Sequence, residues 1–264
     1  MGASPMVTTT PVHPEGPRYG APIVYVPGVW LGPQVWQPAA SYLGHRGWAG
    51  MLVDARAVPG GIDARAAAVS AHLAALPAAP VLIGHDAGAL VALAMATRMD
   101  VRAMVLLAPL CPGAPATHAL TWSGGLVWSL LRRRPVAPPA GPVGDAFFAD
   151  LPAALRRTIG NEDPRLLAQL ARRSAIVRPV RMPPTLVLHG GADPILPRDE
   201  ALRFARDVGA ESLELPGRGH WLLAAGAWQD CGDRVHRWLV QRLGETILEL
   251  YAEAMADRED DGDE

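Results

Sequence analysis

The chain has 264 residues, half of them hydrophobic, and a formal net charge of −2. That length and apolar fraction suit one large domain with a substantial core, and the near-neutral balance argues against a nucleic-acid partner or an acidic membrane surface. Every basic residue is arginine, which together with abundant alanine, glycine and proline points to a high-GC bacterial source. The two cysteines, Cys111 and Cys231, lie far apart without metal-ligand spacing, so two reduced thiols and no metal are expected. No basic-flanked apolar leader is visible and no apolar run approaches the ~20 residues of a membrane span, so a cytoplasmic protein is expected.

Residues 1–21 are rich in Pro, Gly and Thr, show no apolar period and are read as a flexible lead-in. Pro22–Val26 is a short buried strand, closed by Pro27-Gly28-Val29-Trp30. A helix begins near Trp36, a strand covers Gly50–Asp54, and Ile62–Leu76 is a helix with Ala66, Val69 and Leu73 on one face. Pro80–Ile83 and Val101–Leu107 are further buried strands, with an apolar helix, Ala89–Ala96, between them. Strands alternating with helices at this spacing imply right-handed βαβ units and a mostly parallel sheet.

The alternation stops after Leu110. Residues 111–184 carry proline-rich pieces and helical stretches, Asp145–Arg157 and Pro164–Ala175 among them, and are read as a helical cap. The sheet resumes at Thr185–His189 and Ser212–Leu215, so residues 22–110 and 185–256 form the core. Trp228–Leu243 is a long helix and a separate short one follows, with Ile247, Leu250, Tyr251 and Ala254 on one face. Residues 257–264 are almost all acidic and are read as a solvated, disordered tail.

The stretch Gly84-His85-Asp86-Ala87-Gly88 sits at the junction of a strand and a helix, where small residues permit a sharp turn. Two more motifs close later strands: His189-Gly190-Gly191-Ala192-Asp193-Pro194 and Gly217-Arg218-Gly219-His220-Trp221. Their order, elbow residue, acid and histidine, resembles that of the α/β-hydrolase fold over roughly residues 22–243. Gly-His-Asp-x-Gly is similar to the elbows of epoxide hydrolases, haloalkane dehalogenases and haloacetate dehalogenases, which carry an aspartate nucleophile.

The resemblance implies an α/β-hydrolase-fold enzyme with a parallel central sheet, an inserted cap and no cofactor. Asp86 would be the nucleophile, favoured as an anion by the helix N-terminus; His220 would be the base and Asp193 its orienting partner. The backbone N–H groups of Val29 and Ala87 occupy the oxyanion-hole positions. Trp30, Trp122, Trp128, Trp221 and His118 are candidates to line the pocket of a small hydrophobic substrate, while His85 and His189 read as packing residues and Arg132-Arg133-Arg134 as a solvated cap edge.

A carboxylate elbow disfavours ordinary esterase chemistry, because attack on an ester would give a mixed anhydride. Displacement at saturated carbon gives instead an alkyl ester of Asp86 that water, activated by His220, cleaves. Two departures bear on the substrate. Ala87 stands where haloalkane dehalogenases and many epoxide hydrolases have tryptophan, and none of the four tyrosines lies in the cap. Two alternatives stay open: elimination, as in the loss of acetate in tetronate biosynthesis, with Asp86 and His220 as acid–base groups, and ligand binding without turnover. A monomer or a homodimer is compatible with all of these.

Overall fold

A computed structural model of the chain describes residues 6–122, 124–223, 226 and 228–260, with side chains to residue 244. Seven strands form one sheet: β1 (Thr8–Val12), β2 (Tyr19–Val26), β3 (Trp48–Asp54), β4 (Val81–His85), β5 (Ala103–Leu107), β6 (Thr185–Gly190) and β7 (Glu211–Leu215). Their spatial order is β1-β3-β2-β4-β5-β6-β7, with every neighbouring pair parallel except β1 and β3. The central strands β4, β5 and β6 are buried along their whole length. Their continuous Val, Leu and Ile runs are what a strand covered on both faces requires.

Residues 8–12 correct the flexible lead-in: they pair antiparallel with β3, Thr8 opposite Asp54 and Val12 opposite Gly50. β-branched Thr8, Thr9 and Thr10 suit extended backbone, and Pro11 is tolerated because this strand is the sheet's edge.

The helices flank the sheet. α1 (Gln37–His45) follows a 3₁₀ turn at Pro33–Trp36 and packs on α10 (Trp228–Asp260). α2 (Ile62–His72) packs on α3 (Ala87–Met95), and α9 (Arg198–Val208) packs on β6 and β7. α3 is buried at every position. Its lack of a polar face fits a helix enclosed by the domain's own layers. α10 merges the two expected terminal helices and continues through 257–260, in place of the expected disordered tail; residues 261–264 lie outside the described ones. Past Gly244 no Gly or Pro interrupts the chain to residue 260, and strong helix formers predominate there.

Between β5 and β6 lie α4 (Pro115–Thr121), α5 (Gly124–Arg132), α6 (Gly141–Phe147), α7 (Ala153–Arg156) and α8 (Pro164–Ala171). The expected single helix over 145–157 is broken into α6 and α7, since Pro152 disfavours helix at the residue before it. α8 ends at Ala171, four residues short of the expected limit, and Arg172 is already extended. Among the described residues no helix is long and apolar enough to cross a membrane. Both cysteines are free, as expected, Cys231 buried and Cys111 partly so.

Candidate active site

The turn between β4 and α3 sets the geometry of Asp86. Its φ of 59° and ψ of −126° are costly for a residue with a Cβ. The conformation is held by its own backbone: the N–H donates to Leu107 O (3.0 Å), and the carbonyl accepts from Ala89 N (3.2 Å). Gly28 and Gly88 make room. A Cβ on Gly28 would sit 2.6 Å from the Asp86 Cβ, and one on Gly88 would collide with the carbonyl oxygens of Val26 and Pro27.

Asp86 Oδ1 accepts from the Ala87 N–H and faces the Val29 N–H at 3.5 Å. Oδ2 lies 3.5 Å from His220 Nε2. On the far side of that ring, Nδ1 donates to Asp193 Oδ2 at 2.9 Å. Asp193 Oδ1 in turn accepts the N–H groups of Ile195 (2.8 Å) and Leu196 (3.0 Å). Asp86, His220 and Asp193 thus line up as a relay at the C-terminal ends of the strands, where β4, β6 and β7 deliver them, with Asp86 Oδ2 and His220 Nε2 facing each other but each without a hydrogen-bond partner. His85, the last residue of β4, donates from Nε2 to the carbonyl of His220 at 3.0 Å and so ties the histidine loop to the elbow.

Burial and charge act against each other on the histidines. Burial alone would push His220 down, but the Asp193 and Asp86 carboxylates outweigh it and raise its pKa to about 10. His85 is lowered to about 4 by burial, reinforced by the nearby His220 charge, and stays neutral. Burial would raise Asp193, yet His220 and the two backbone N–H donors hold its carboxyl below the ordinary value. Both neighbouring carboxyl groups thus favour the protonated ring of His220 over the neutral one.

Asp86 is 0% and His220 1% exposed, so the relay is sealed from solvent. Its covering is aromatic. The Phe147 ring, at the end of α6, lies 5.1 Å from both His220 and Trp221, and Trp30 meets Phe147 at 5.8 Å. Trp221 Nε1–H donates to the Phe147 carbonyl and fastens the cap there. Trp30 Nε1 is buried without a hydrogen-bond partner.

A second fastening comes from charge. Glu162, between α7 and α8, is 1% exposed and paired with Arg65 of α2 through both of its oxygens. The same carboxylate accepts the Trp30 N–H (3.4 Å) and the Asp163 N–H (2.7 Å), while Gly160 N–H donates to Trp30 O (2.8 Å). The cap thereby grips both backbone polar groups of Trp30, which has φ 60°, next to Val29.

The expected pocket residues divide. Trp30 and Trp221 are buried beside the relay. Trp122 and Trp128 are corrected: they are 43% and 61% exposed on the cap surface, Trp122 stacked on His118 and Trp128 under Arg132. His118 Nδ1 bonds Ala171 O within the cap and does not reach the relay. The side chains that occupy the expected place are Phe147 and Phe148. They belong to a predicted helical stretch that gave no hint of which residues face inward.

An alpha/beta hydrolase family model matches residues 23–237. The chain belongs to that family. Family membership makes it an enzyme of the hydrolase type. Solved structures agree on the fold. An esterase from Thermogutta terrifontis superposes with a TM-score of 0.66 at 20% identity, covering 89% of this chain and 93% of that one. A monoacylglycerol lipase from Paleococcus ferrophilus gives 0.68 at 16% identity, covering 89% and 99%. An enol-lactonase from Burkholderia xenovorans gives 0.63 at 18%, covering 89% and 96%. No curated protein sequence matches the chain.

Proposed function

We propose that this alpha/beta hydrolase cleaves a small apolar substrate at a saturated electrophilic carbon, with Asp86 as nucleophile. The observation that carries the reading is the Asp86 carboxylate itself. It sits on the strained elbow with Oδ1 at the Ala87 and Val29 N–H groups and Oδ2 at His220. One oxygen of Asp86 attacks carbon while the leaving group departs with the bonding electrons, giving an alkyl ester. Esterification removes one of the two anions that favour the His220 proton, and the imidazolium releases that proton to solvent along with the departing anion. Neutral His220 then takes a proton from water as the water attacks the Asp86 carbonyl carbon, and Val29 and Ala87 N–H hold the oxyanion. Collapse expels the alkoxide, which takes one of the water's two protons and leaves as the alcohol; the other stays on His220, and the Asp86 carboxylate is regenerated. Asp193 keeps the ring oriented throughout.

The leaving group follows from the cap. Residues 111–184 contain no tyrosine. The rings packed over the relay are Phe147 and Trp221, with Phe148 and Trp30 behind them. A leaving group that departs as a stable anion, such as a halide, needs no proton donor and suits this site better than an epoxide oxygen. The same absence is compatible with a second reading, elimination of a carboxylate, in which the Asp86 and His220 pair shuttles a proton and no ester forms.

The test is the intact mass of a His220→Gln variant incubated with halo-acids and epoxides. The expected result is an adduct equal to the substrate less its leaving group, mapped to the peptide containing Asp86. Turnover of a halo-acid by the native enzyme without any adduct in the variant would favour elimination.

A further inference from the structure

A cavity of about 680 Å³ lies outside the relay. Its walls are the two stretches where the chain crosses between core and cap, residues 111–115 leaving and 173–178 returning, together with α9. None of Asp86, Asp193 or His220 lines it. The two crossings touch there: Gly113, at φ 71°, donates its N–H to Leu170 O (2.8 Å), and a Cβ on it would lie 2.5 Å from Arg173 N.

Three guanidinium groups belong to this wall, those of Arg173, Arg178 and Arg203. Among the described residues Arg173 and Arg178 have no ion-pair partner, and Arg203 reaches Glu200 only at 3.8 Å. Two carboxylates also line the cavity: Glu200, whose Oε2 is buried with no hydrogen-bond partner, and Asp207. Phe204 and Ile176 supply an apolar side. The three arginines are exposed, which leaves their guanidinium groups open to an anion, and the orphaned buried oxygen of Glu200 calls for a donor. The volume is that of a small-molecule site.

We propose that this cavity is a second ligand site, taking a small hydroxylated anion: a carboxylate or phosphate monoester whose charge meets the arginines and whose hydroxyl donates to Glu200. A ligand there bridges both crossings to α9. It holds the cap on the core without touching the reacting atoms, so it acts as an effector of cap opening rather than as a substrate.

The experiment is calorimetric titration of the full chain with glycerol 3-phosphate, 3-hydroxybutyrate, inorganic phosphate and glycerol. Saturable binding of at least one hydroxylated anion with a Kd of about 1 mM or below is expected, with glycerol silent. Asp86→Asn should bind equally, which separates this site from the relay and from any outcome of the alkylation reading. Arg178→Gln and Arg203→Gln should each weaken binding by about tenfold. Glu200→Gln should weaken the hydroxylated ligands more than inorganic phosphate. In the bound protein, hydrogen exchange over residues 109–115 and 172–178 should slow. The relative affinity of the phosphate and carboxylate probes tells which anion the site prefers. No saturable binding of either hydroxylated anion up to about 10 mM, or binding unaltered in both arginine variants, overturns the proposal.

Discussion

The core half and the cap half of the candidate site are held by different means. In the core, Asp86, Asp193 and His220 stand at or just beyond strand ends, and each is fixed by main-chain hydrogen bonds or by another relay member. In the cap, short helices meet the core through a few side chains: Glu162 on Arg65, Asp163 Oδ2 on the Gly60 N–H (2.8 Å) and Gln169 Oε1 on the Ile62 N–H (2.8 Å). The contrast suits the proposed chemistry. Reacting atoms demand a fixed geometry, whereas a sealed relay demands a cover that can come away to admit substrate.

Removing the proposed nucleophile strikes the core half alone and should have the largest effect. Asp86→Asn should lower turnover by about 10³-fold or more while leaving the melting temperature near that of the native chain, as steady-state rates and calorimetry would show. A loss of folding instead would mean that the elbow carboxylate is structural.

Breaking the cap's fastening should do the reverse. Glu162→Ala leaves Arg65 buried without its partner and should destabilise by about 3–5 kcal/mol in denaturant titration. A double variant, Arg65→Met with Glu162→Met, should recover most of that loss. If Glu162→Ala costs under about 1 kcal/mol, the pair behaves as a surface contact and the comparison fails.

Within the core half, His220 and Asp193 should differ in their response to pH. His220 has its folded pKa raised from 6.5 to about 10, so its contribution to stability is complete below 6.5 and lost as pH rises through about 10. Asp193 is lowered, so its contribution is present above the ordinary carboxylate range and lost as pH falls through its folded value. Denaturation of the native chain and His220→Gln at pH 6 and pH 10 should show the gap between them shrinking at the higher pH. An unchanged gap would contradict the raised value.

The smallest effect belongs to the cap surface. Trp128→Ala should shift stability by no more than about 0.5 kcal/mol and leave turnover unchanged, since the ring is exposed. A marked loss of turnover would return Trp128 to the substrate's path.

These differences track what could be read from residues alone. The elbow was legible because strand, turn and helix follow one another around Gly84 and Gly88, and the order of Asp86, Asp193 and His220 along the chain matched a known arrangement. β1 was not, because an edge strand whose burial shows no alternation leaves no period to detect. In the cap, tryptophan reads as the marker of a pocket, yet Trp122 and Trp128 are exposed while Phe147 covers the relay with Phe148 packed behind it. Glu162 and Arg65 carried no signal, because a lone charge reads as solvated until the fold brings its partner 97 positions away.

The most direct test of the central claim is a single turnover in H₂¹⁸O with enzyme in excess, followed by mass analysis of the peptide containing Asp86. The covalent route predicts one ¹⁸O in the Asp86 carboxylate, because water attacks its carbonyl carbon and the alcohol leaves with the original oxygen. Product formed with no label in Asp86 would contradict the ester and leave Asp86 and His220 as acid–base groups.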